Sequence, residues 1–178
     1  MKKLILLLIP IMILSSCKTL VPFTNSLNTD NSWDEYDLRQ IQFYLSNTIT
    51  LYRQLNNSET KIESGVIKTV DGKKVEEVII KKGTPGIVTT LVDKTKMSVS
   101  FEIDDNHFLT FGSYKNRAGR YYLMLKEYKK DRRSKVTYVQ KEFFISNESL
   151  QSFLQVDMKR IKKEERDQRV AGGRKLYY

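Results

Sequence analysis

The sequence predicts a mainly β protein, a small barrel or a β-sandwich with an N-terminal helix and a short C-terminal helical turn. Its 178 residues and 40 % apolar content suit one domain. After Asn47, at least six short segments rich in β-branched and aromatic residues alternate with turn residues, which is typical of a β meander. Residues 97–103 alternate strictly between apolar and polar side chains, as a half-buried strand does. We therefore expect a helix plus a β domain at residues 32–158.

The first sixteen residues predict an export signal. Lys2 and Lys3 give it a positive start, residues 4–14 are apolar with one proline break, and two serines follow. The apolar run is too short for a helix that crosses the hydrocarbon core, which takes about 20 residues. We expect residues 1–16 to be a signal peptide that is removed.

The residues Leu14, Ser15, Ser16 and Cys17 resemble the lipobox of bacterial lipoproteins. The resemblance implies cleavage before Cys17 and about two or three acyl chains on this cysteine, an anchor that holds the protein on a membrane. Lys18 stands where an Asp favours the inner membrane, so the resemblance implies a periplasm-facing protein of the outer membrane. Cys17 is the only cysteine, which excludes a disulfide scaffold. The alternative is an ordinary signal peptide that ends at Cys17 by chance.

Residues 17–31 predict a lipidated cysteine followed by a flexible tether. They are rich in Ser, Thr and Asn and lack apolar periodicity. A flexible chain of this length reaches roughly 20 Å. The domain would then stand just off the bilayer.

A helix is predicted over residues 33–45. Ser32 and Glu35 fit a capping box, in which each side chain accepts a hydrogen bond from the other residue's backbone amide. Three apolar side chains at helical spacing form one face: Leu38, Ile41 and Leu45. Three aromatic side chains are expected in the core rather than in an exposed patch: Trp33, Phe43 and Tyr44.

The strands are predicted from β-rich runs bounded by turn residues. The predicted strands are residues 48–55, 64–70, 74–81, 87–92, 97–103, 107–112, 120–128, 135–145 and 155–161. Asp71-Gly72 marks a hairpin, and Pro85-Gly86 fits the two central positions of a type II turn. Residues 146–153 predict a short helical turn that closes one end of the domain.

The segment Lys-Gly-Thr-Pro-Gly-Ile-Val at 82–88, followed by Ser-Val-Ser-Phe at 98–101, is similar to a turn and strand of small SH3-like barrels. Their turn has the pattern G-x-x-G-x-V. The resemblance covers residues 78–145 and implies an SH3-like barrel. In cytoplasmic relatives such a barrel binds RNA or protein, and in exported ones it implies binding of wall peptides or proteins.

The charge balance narrows the class of partner. The chain carries a formal charge of +10, and loss of residues 1–16 removes Lys2 and Lys3 and leaves about +8. An exported protein meets no chromosome, so we expect no nucleic-acid partner. The partners that a basic exported protein can still bind are anionic lipid headgroups, wall polymers and acidic proteins.

The basic C-terminal tail, residues 159–178, concentrates this charge. Three acidic residues accompany eight basic ones, which are candidates for partner binding: Lys159, Arg160, Lys162, Lys163, Arg166, Arg169, Arg174 and Lys175. The tail is predicted to be either helical and solvated or disordered until bound. Its apolar and aromatic end, Leu176 to Tyr178, also allows docking on the domain itself or on a partner.

The sequence predicts no catalytic residue, cofactor or metal. Cys17 is taken by lipid and His107 is the only histidine, so little material remains for nucleophilic catalysis. Residues 104–107, Asp-Asp-Asn-His, could contact calcium, but they lack the spacing of a calcium loop, and we favour a polar hairpin turn.

Five tyrosines lie near the basic loops 115–120 and 129–135, where aromatic faces beside cations would suit a glycan or an acidic peptide. They are Tyr114, Tyr121, Tyr122, Tyr128 and Tyr138. The preferred interpretation is ordinary strand residues with one face in the core.

These patterns predict a non-enzymatic lipoprotein, an accessory or scaffold subunit of a larger envelope complex. It would be held by lipid on Cys17 and would contact an envelope protein. The alternative is a module that binds peptidoglycan or another anionic wall polymer.

Overall fold

The structure, a computed structural model, covers most of the region expected to fold. The residues it describes are 19–56, 65–70, 72–128 and 134–166, with only the backbone given for 163–166. Four predicted site residues lie outside these ranges: Cys17, Arg169, Arg174 and Lys175.

The strands form two antiparallel sheets, which confirms the predicted mainly β class. In spatial order the seven-stranded sheet contains β1 (Leu20–Pro22), β12 (Leu154–Asp157), β2 (Phe43–Leu45), β6 (Pro85–Asp93), β7 (Lys96–Ser100), β8 (Phe108–Ser113) and β9 (Tyr121–Leu123). The five-stranded sheet contains β10 (Lys135–Tyr138), β11 (Lys141–Ile145), β3 (Ile49–Gln54), β5 (Lys73–Ile80) and β4 (Val66–Val70).

The two edges of the seven-stranded sheet meet and close it into a barrel. Thr24, after β1, forms a bridge with Arg120, before β9. The Tyr121 amide donates to the Phe23 carbonyl at 3.3 Å. Closure satisfies edge groups that would otherwise be open to another chain.

Short helices connect the strands. They are α1 (Asn25–Asp30), α2 (Glu35–Gln40), α3 (Met158–Arg166) and the 3-10 turns Lys115–Arg117 and Asn147–Gln151. The second 3-10 turn confirms the helical turn predicted over 146–153.

A single apolar core joins the barrel to the five-stranded sheet. Among its fully buried side chains are Phe23, Phe43, Phe111 and Leu154 from the barrel and Ile49, Phe143 and Ile145 from the second sheet. Residues 78–145, which resemble an SH3-like barrel, do not form a separate unit, because they supply strands to both sheets.

The predicted tether over 17–31 is wrong from Leu20 onwards. β1 pairs with β12, with Leu20 opposite Asp157. Phe23 is fully buried, and its ring centroid lies 4.8 Å from that of Tyr121. The three residues of β1 are too few for an alternation to be visible, and its pairing partner lies at the other end of the chain.

The helix predicted over 33–45 is also wrong in its second half. α2 begins after Asp34, whose side chain forms a capping box with Asp37 rather than the predicted one of Ser32 and Glu35. The following residues form β2, and all three of its side chains are buried. β2 lies between β12 and β6 and so satisfies both backbone edges, which a surface helix would not do. The core positions predicted for Phe43 and Tyr44 are confirmed, and Trp33 is partly buried against the core.

Pro85-Gly86 belongs to β6 and not to the predicted type II turn. Gly86 lies opposite Phe43 of β2. A Cβ at Gly86 would come within 2.7 Å of the Phe101 ring, so this glycine permits close packing within the sheet. The turn lies just before, where Gly83 has φ +78° and the Thr84 amide donates to the Lys81 carbonyl at 3.1 Å.

Several predicted strands are shorter than expected. The alternating strand 97–103 ends at Ser100, because the Ser100 hydroxyl contacts the backbone carbonyls of Asp104 and His107 at 2.9 and 3.0 Å and stabilises a turn. The predicted strand 120–128 shrinks to the three residues of β9. The predicted strand 155–161 ends at Asp157, where α3 follows.

The predicted strand 135–145 is a hairpin of β10 and β11. Its two turn residues, Val139 and Gln140, have φ values of +48° and +57°. Neither residue type favours this conformation, so the turn was not recognisable from the sequence. By contrast, the predicted hairpin at Asp71-Gly72 is confirmed, with Val70 opposite Lys73.

Candidate functional site

The basic C-terminal segment begins as helix α3, which is fixed to the barrel. Asp157 caps it, since its Oδ1 accepts hydrogen bonds from the amides of Lys159 at 3.0 Å and Arg160 at 3.4 Å. Ile161 is only 8 % exposed and belongs to the core. The exposed basic side chains described on α3 are Lys159, Arg160 and Lys162.

The eight predicted tail residues are therefore only partly placed. Three are exposed on one short helix. Lys163 and Arg166 belong to the same helix, and only their backbone is described. Arg160 and Lys162 already take part in interactions within the chain. Within the described part, the tail is helical and docked through Ile161.

A second basic feature lies on the side of the barrel, and we call it the arginine–aromatic surface. It consists of Tyr114, Arg117, Arg120, Tyr122 and Phe153. The guanidinium carbon of Arg117 lies 4.6 Å from the Tyr122 ring centroid and 6.0 Å from that of Tyr114. That of Arg120 lies 5.2 Å from the Phe153 centroid, and the rings of Tyr122 and Phe153 are 5.5 Å apart. Cations and rings thus alternate along the surface.

The arginine–aromatic surface carries positive charge without local compensation. Residues 108–125 contain Lys115, Arg117 and Arg120 but no Asp or Glu. In the described part of the chain, no carboxylate lies within salt-bridge distance of either guanidinium. Next to it is a hollow of about 400 Å³ lined in part by Tyr114, Arg117 and Tyr128. The surface is therefore suited to an anion with flat or apolar parts.

The five predicted tyrosines divide into two groups. Tyr121, Tyr122 and Tyr138 are buried, as the strand interpretation requires. Burial, with a smaller contribution from the charge of Asp93, raises the pKa of Tyr121 to about 12. Tyr114 and Tyr128 are exposed beside the basic loop.

A third feature is the outer sheet face, the side of the five-stranded sheet that points away from the core. Tyr52 and Phe144 are directly opposite each other there, and their rings stack with centroids 5.7 Å apart. The Lys135 Nζ lies 5.4 Å from the Phe144 centroid. Farther along, Ile79 is 50 % and Val66 is 61 % exposed. The face combines aromatic and aliphatic side chains in neighbouring strands.

Charged pairs also lie on the outer sheet face. Lys68 and Glu77 form an ion pair between β4 and β5. Glu77 is opposite both Tyr52 and Val66, so this pair separates Val66 from the stacked aromatic rings. Glu142 accepts from Lys126 at 2.7 Å and from Lys135 at 2.9 Å. The face therefore mixes apolar and charged side chains, as protein interfaces commonly do.

The segment 104–107 forms the turn that the sequence favoured. The Asp104 Oδ1 accepts from the Asn106 amide at 2.6 Å, and its Oδ2 lies 3.5 Å from the His107 Nδ1. The His107 ring packs edge to face on Tyr138, with centroids 5.7 Å apart. Among the residues that the structure describes, no group of three His, Cys, Asp or Glu side chains is placed to hold a metal ion.

Sequence reasoning missed Phe153 and the pairing of Tyr52 with Phe144. Phe153 enters the arginine–aromatic surface through its bridge with Tyr122, a contact between distant parts of the chain. Tyr52 and Phe144 are at outward positions of β3 and β11, and the alternation that places them there is visible in the sequence. What the sequence lacked was the pairing of β3 with β11.

No protein-family model, curated protein or solved structure matches this chain. Among the described residues, no helix has both the length and the apolar character needed to cross a bilayer.

Proposed function

We propose that this protein is a lipid-anchored, non-enzymatic accessory or scaffold subunit of a larger assembly in the bacterial envelope. It would face the periplasm from the outer membrane, held by acyl chains on Cys17. The outer sheet face is the observation that supports this proposal best, because it offers an envelope protein a docking surface.

The outer sheet face suits a protein partner for a physical reason. Ile79 is half exposed on β5, the strand next to that of Tyr52, which stacks on Phe144. Val66, also more than half exposed, lies on the same face beyond Glu77. Each buried methylene gains about 0.8 kcal/mol, so covering this group favours association. Aromatic side chains at the centre of an interface often contribute most of the binding energy.

A photo-crosslinking amino acid at Ile79 tests the proposal in cells. The matched control is Val92, an aliphatic residue of similar exposure on β6 of the barrel. We expect position 79 to form discrete crosslinks to one or a few envelope proteins and position 92 to form none. Equal crosslinking at both positions, or none at 79, contradicts a partner on the outer sheet face.

The arginine–aromatic surface supports a second candidate function, binding of peptidoglycan or another anionic wall polymer. Arg117 and Arg120 lie over aromatic rings without a carboxylate partner in the described part of the chain. Such a surface can bind an anionic group through the guanidinium groups and a sugar ring through the exposed ring of Tyr114.

Sedimentation with purified cell walls tests this second candidate. We expect Arg117→Gln with Arg120→Gln to lower the bound fraction and binding to fall with added salt. Lys115→Gln is the matched control, since it removes a charge from the same loop but stacks on no ring in the described structure. Wall binding that is absent, or that all three substitutions reduce equally, contradicts the role of the surface.

A further inference from the structure

We propose that helix α3 is a membrane contact, whose basic side chains bind anionic lipid headgroups beside the acylated Cys17. This inference rests on the proposed lipid anchor. It assigns to the domain one surface that faces the bilayer.

The pairing of β1 with β12 brings the two ends of the folded domain together. Leu20, the first residue of β1, lies opposite Asp157, the last residue of β12. α3 starts at the next residue, Met158. The point at which the chain leaves the anchor is therefore adjacent to the start of the basic helix.

The anchor is close to this point. Leu20 is three positions after Cys17, and an extended chain advances at most about 3.5 Å per position, or about 10 Å in total. The sequence alone predicted a reach of roughly twice that distance. Because β1 holds residues 20–22 in the sheet, the first turn of α3 is kept near the headgroups.

The helix presents the charge that such a position requires. Lys159, Arg160 and Lys162 are exposed, whereas Ile161 is buried and fixes the helix to the barrel. Residues 158–166 contain five basic and two acidic residues. A net positive segment within a Debye length of about 8–10 Å from anionic headgroups is attracted to them.

Lipid is favoured over an acidic protein as the ligand because of effective concentration. The acyl chains keep α3 permanently beside the headgroups, so this contact is intramolecular with respect to the membrane. An acidic protein has to compete with that arrangement. Lipid chains and a basic patch together also form a two-signal anchor.

Fluorescence quenching on the lipidated protein can test the orientation. Cys17 is the only cysteine and is taken by lipid, so an introduced cysteine is a unique site for a dye. We choose Lys159→Cys on α3 and Lys82→Cys as its control. Lys82 is exposed and precedes Gly83, whose amide donates to the Leu45 carbonyl at 2.7 Å, at the end of β2 distant from α3.

The labelled proteins are reconstituted in vesicles that carry a headgroup quencher, with phosphatidylcholine alone or with added phosphatidylglycerol. We expect quenching at position 159 to exceed that at position 82 by about threefold with phosphatidylglycerol, and high salt to reduce it. Arg160→Glu with Lys162→Glu removes the excess. Lys73→Glu with Lys74→Glu, the same charge change on exposed residues of β5, leaves it intact.

Vesicle flotation is measured on the same samples and separates the two proposals. Protein that floats but is quenched equally at both positions overturns the membrane contact and leaves the anchor standing. Quenching at position 159 that is equal with and without phosphatidylglycerol also overturns the membrane contact and leaves the anchor standing. So does quenching at this position that appears only when an acidic envelope protein is added. Protein that does not float overturns the anchor and this inference together.

Discussion

At the scale of single residues, the least expected feature is an ion pair inside the five-stranded sheet. Arg53 is 8 % and Glu76 is 1 % exposed, and the Arg53 Nε donates to the Glu76 Oε2 at 2.6 Å. The Arg53 guanidinium also lies 5.7 Å from the Phe143 ring centroid. A charged side chain in a β-rich run normally indicates the solvent face, so the burial of this pair could not be predicted from the sequence.

Glu76→Ala should lower the free energy of unfolding by about 1.5–3 kcal/mol, because it removes a charge-assisted hydrogen bond from the buried Arg53 guanidinium. Urea denaturation monitored by circular dichroism measures this change. Glu77→Ala, one residue along the same strand, removes an ion pair with the half-exposed Lys68. This control should cost no more than about 1 kcal/mol. Equal losses for the two variants would show that the Arg53–Glu76 pair contributes no more than a surface pair.

Glu142 links stability to pH at the border of the outer sheet face. Hydrogen bonds from Lys126 and then Lys135 lower the pKa of Glu142 from its ordinary 4.5 to about 2. A carboxylate with a lowered pKa in the folded state stabilises the fold above pH 4.5, and this contribution is lost as the pH falls towards 2.

Glu142→Gln should therefore lower the Tm at pH 6 and flatten its decline between about pH 4.5 and 2 relative to the unsubstituted protein. Thermal scans across this range measure both effects. Glu148→Gln is the control, since Glu148 is exposed and has no ion pair in the described structure. A decline in Tm for Glu142→Gln as steep as that of the unsubstituted protein counts against the role of this carboxylate.

At the scale of elements, the N-terminal strand is the largest change from the sequence-based expectation. β1 is short, but the next residue, Phe23, is fully buried, with its ring centroid 5.0 Å from Phe43 and 4.8 Å from Tyr121. The apolar run from Leu20 to Phe23 is only four residues long and contains Pro22, so it does not by itself predict a strand. Its burial depends on the closure of the barrel, which the sequence does not display.

Phe23→Ala should lower the free energy of unfolding by about 3–5 kcal/mol, as the loss of a fully buried aromatic ring does. Denaturant titration of the purified protein provides the measurement. Val92→Ala, at a half-exposed position of β6, is the control and should change it by less than about 1 kcal/mol. If Phe23→Ala leaves the free energy of unfolding unchanged, Phe23 does not stabilise the core, and the flexible tether predicted from the sequence is favoured again.

The elements that the sequence did predict had strong local signals. The Asp71-Gly72 hairpin has a glycine with φ +73°, and the 3-10 turn at 147–151 begins at the polar pair Ser146-Asn147. β2 was misread because its apolar residues continue the helical spacing that starts at Leu38. The arginine–aromatic surface was half visible as a tyrosine-rich basic loop, whereas Phe153 joins it only through tertiary pairing.

At the scale of the whole molecule, three surfaces surround one core. α3 lies beside the first ordered strand, the arginine–aromatic surface is on the side of the barrel, and the outer sheet face belongs to the second sheet. With lipid on Cys17, this arrangement would direct α3 to the membrane and leave the other two surfaces for ligands. This orientation of the domain requires the lipid on Cys17.

Mass spectrometry of the mature N-terminal peptide, prepared from membranes of the native host, shows directly whether Cys17 is acylated. We expect the peptide to begin at Cys17 and to carry the added mass of acyl chains. As a control, Cys17→Ser should abolish both the modification and membrane attachment while the circular dichroism spectrum is unchanged. A peptide that begins elsewhere, or that begins at Cys17 with a free thiol, would exclude the lipid anchor.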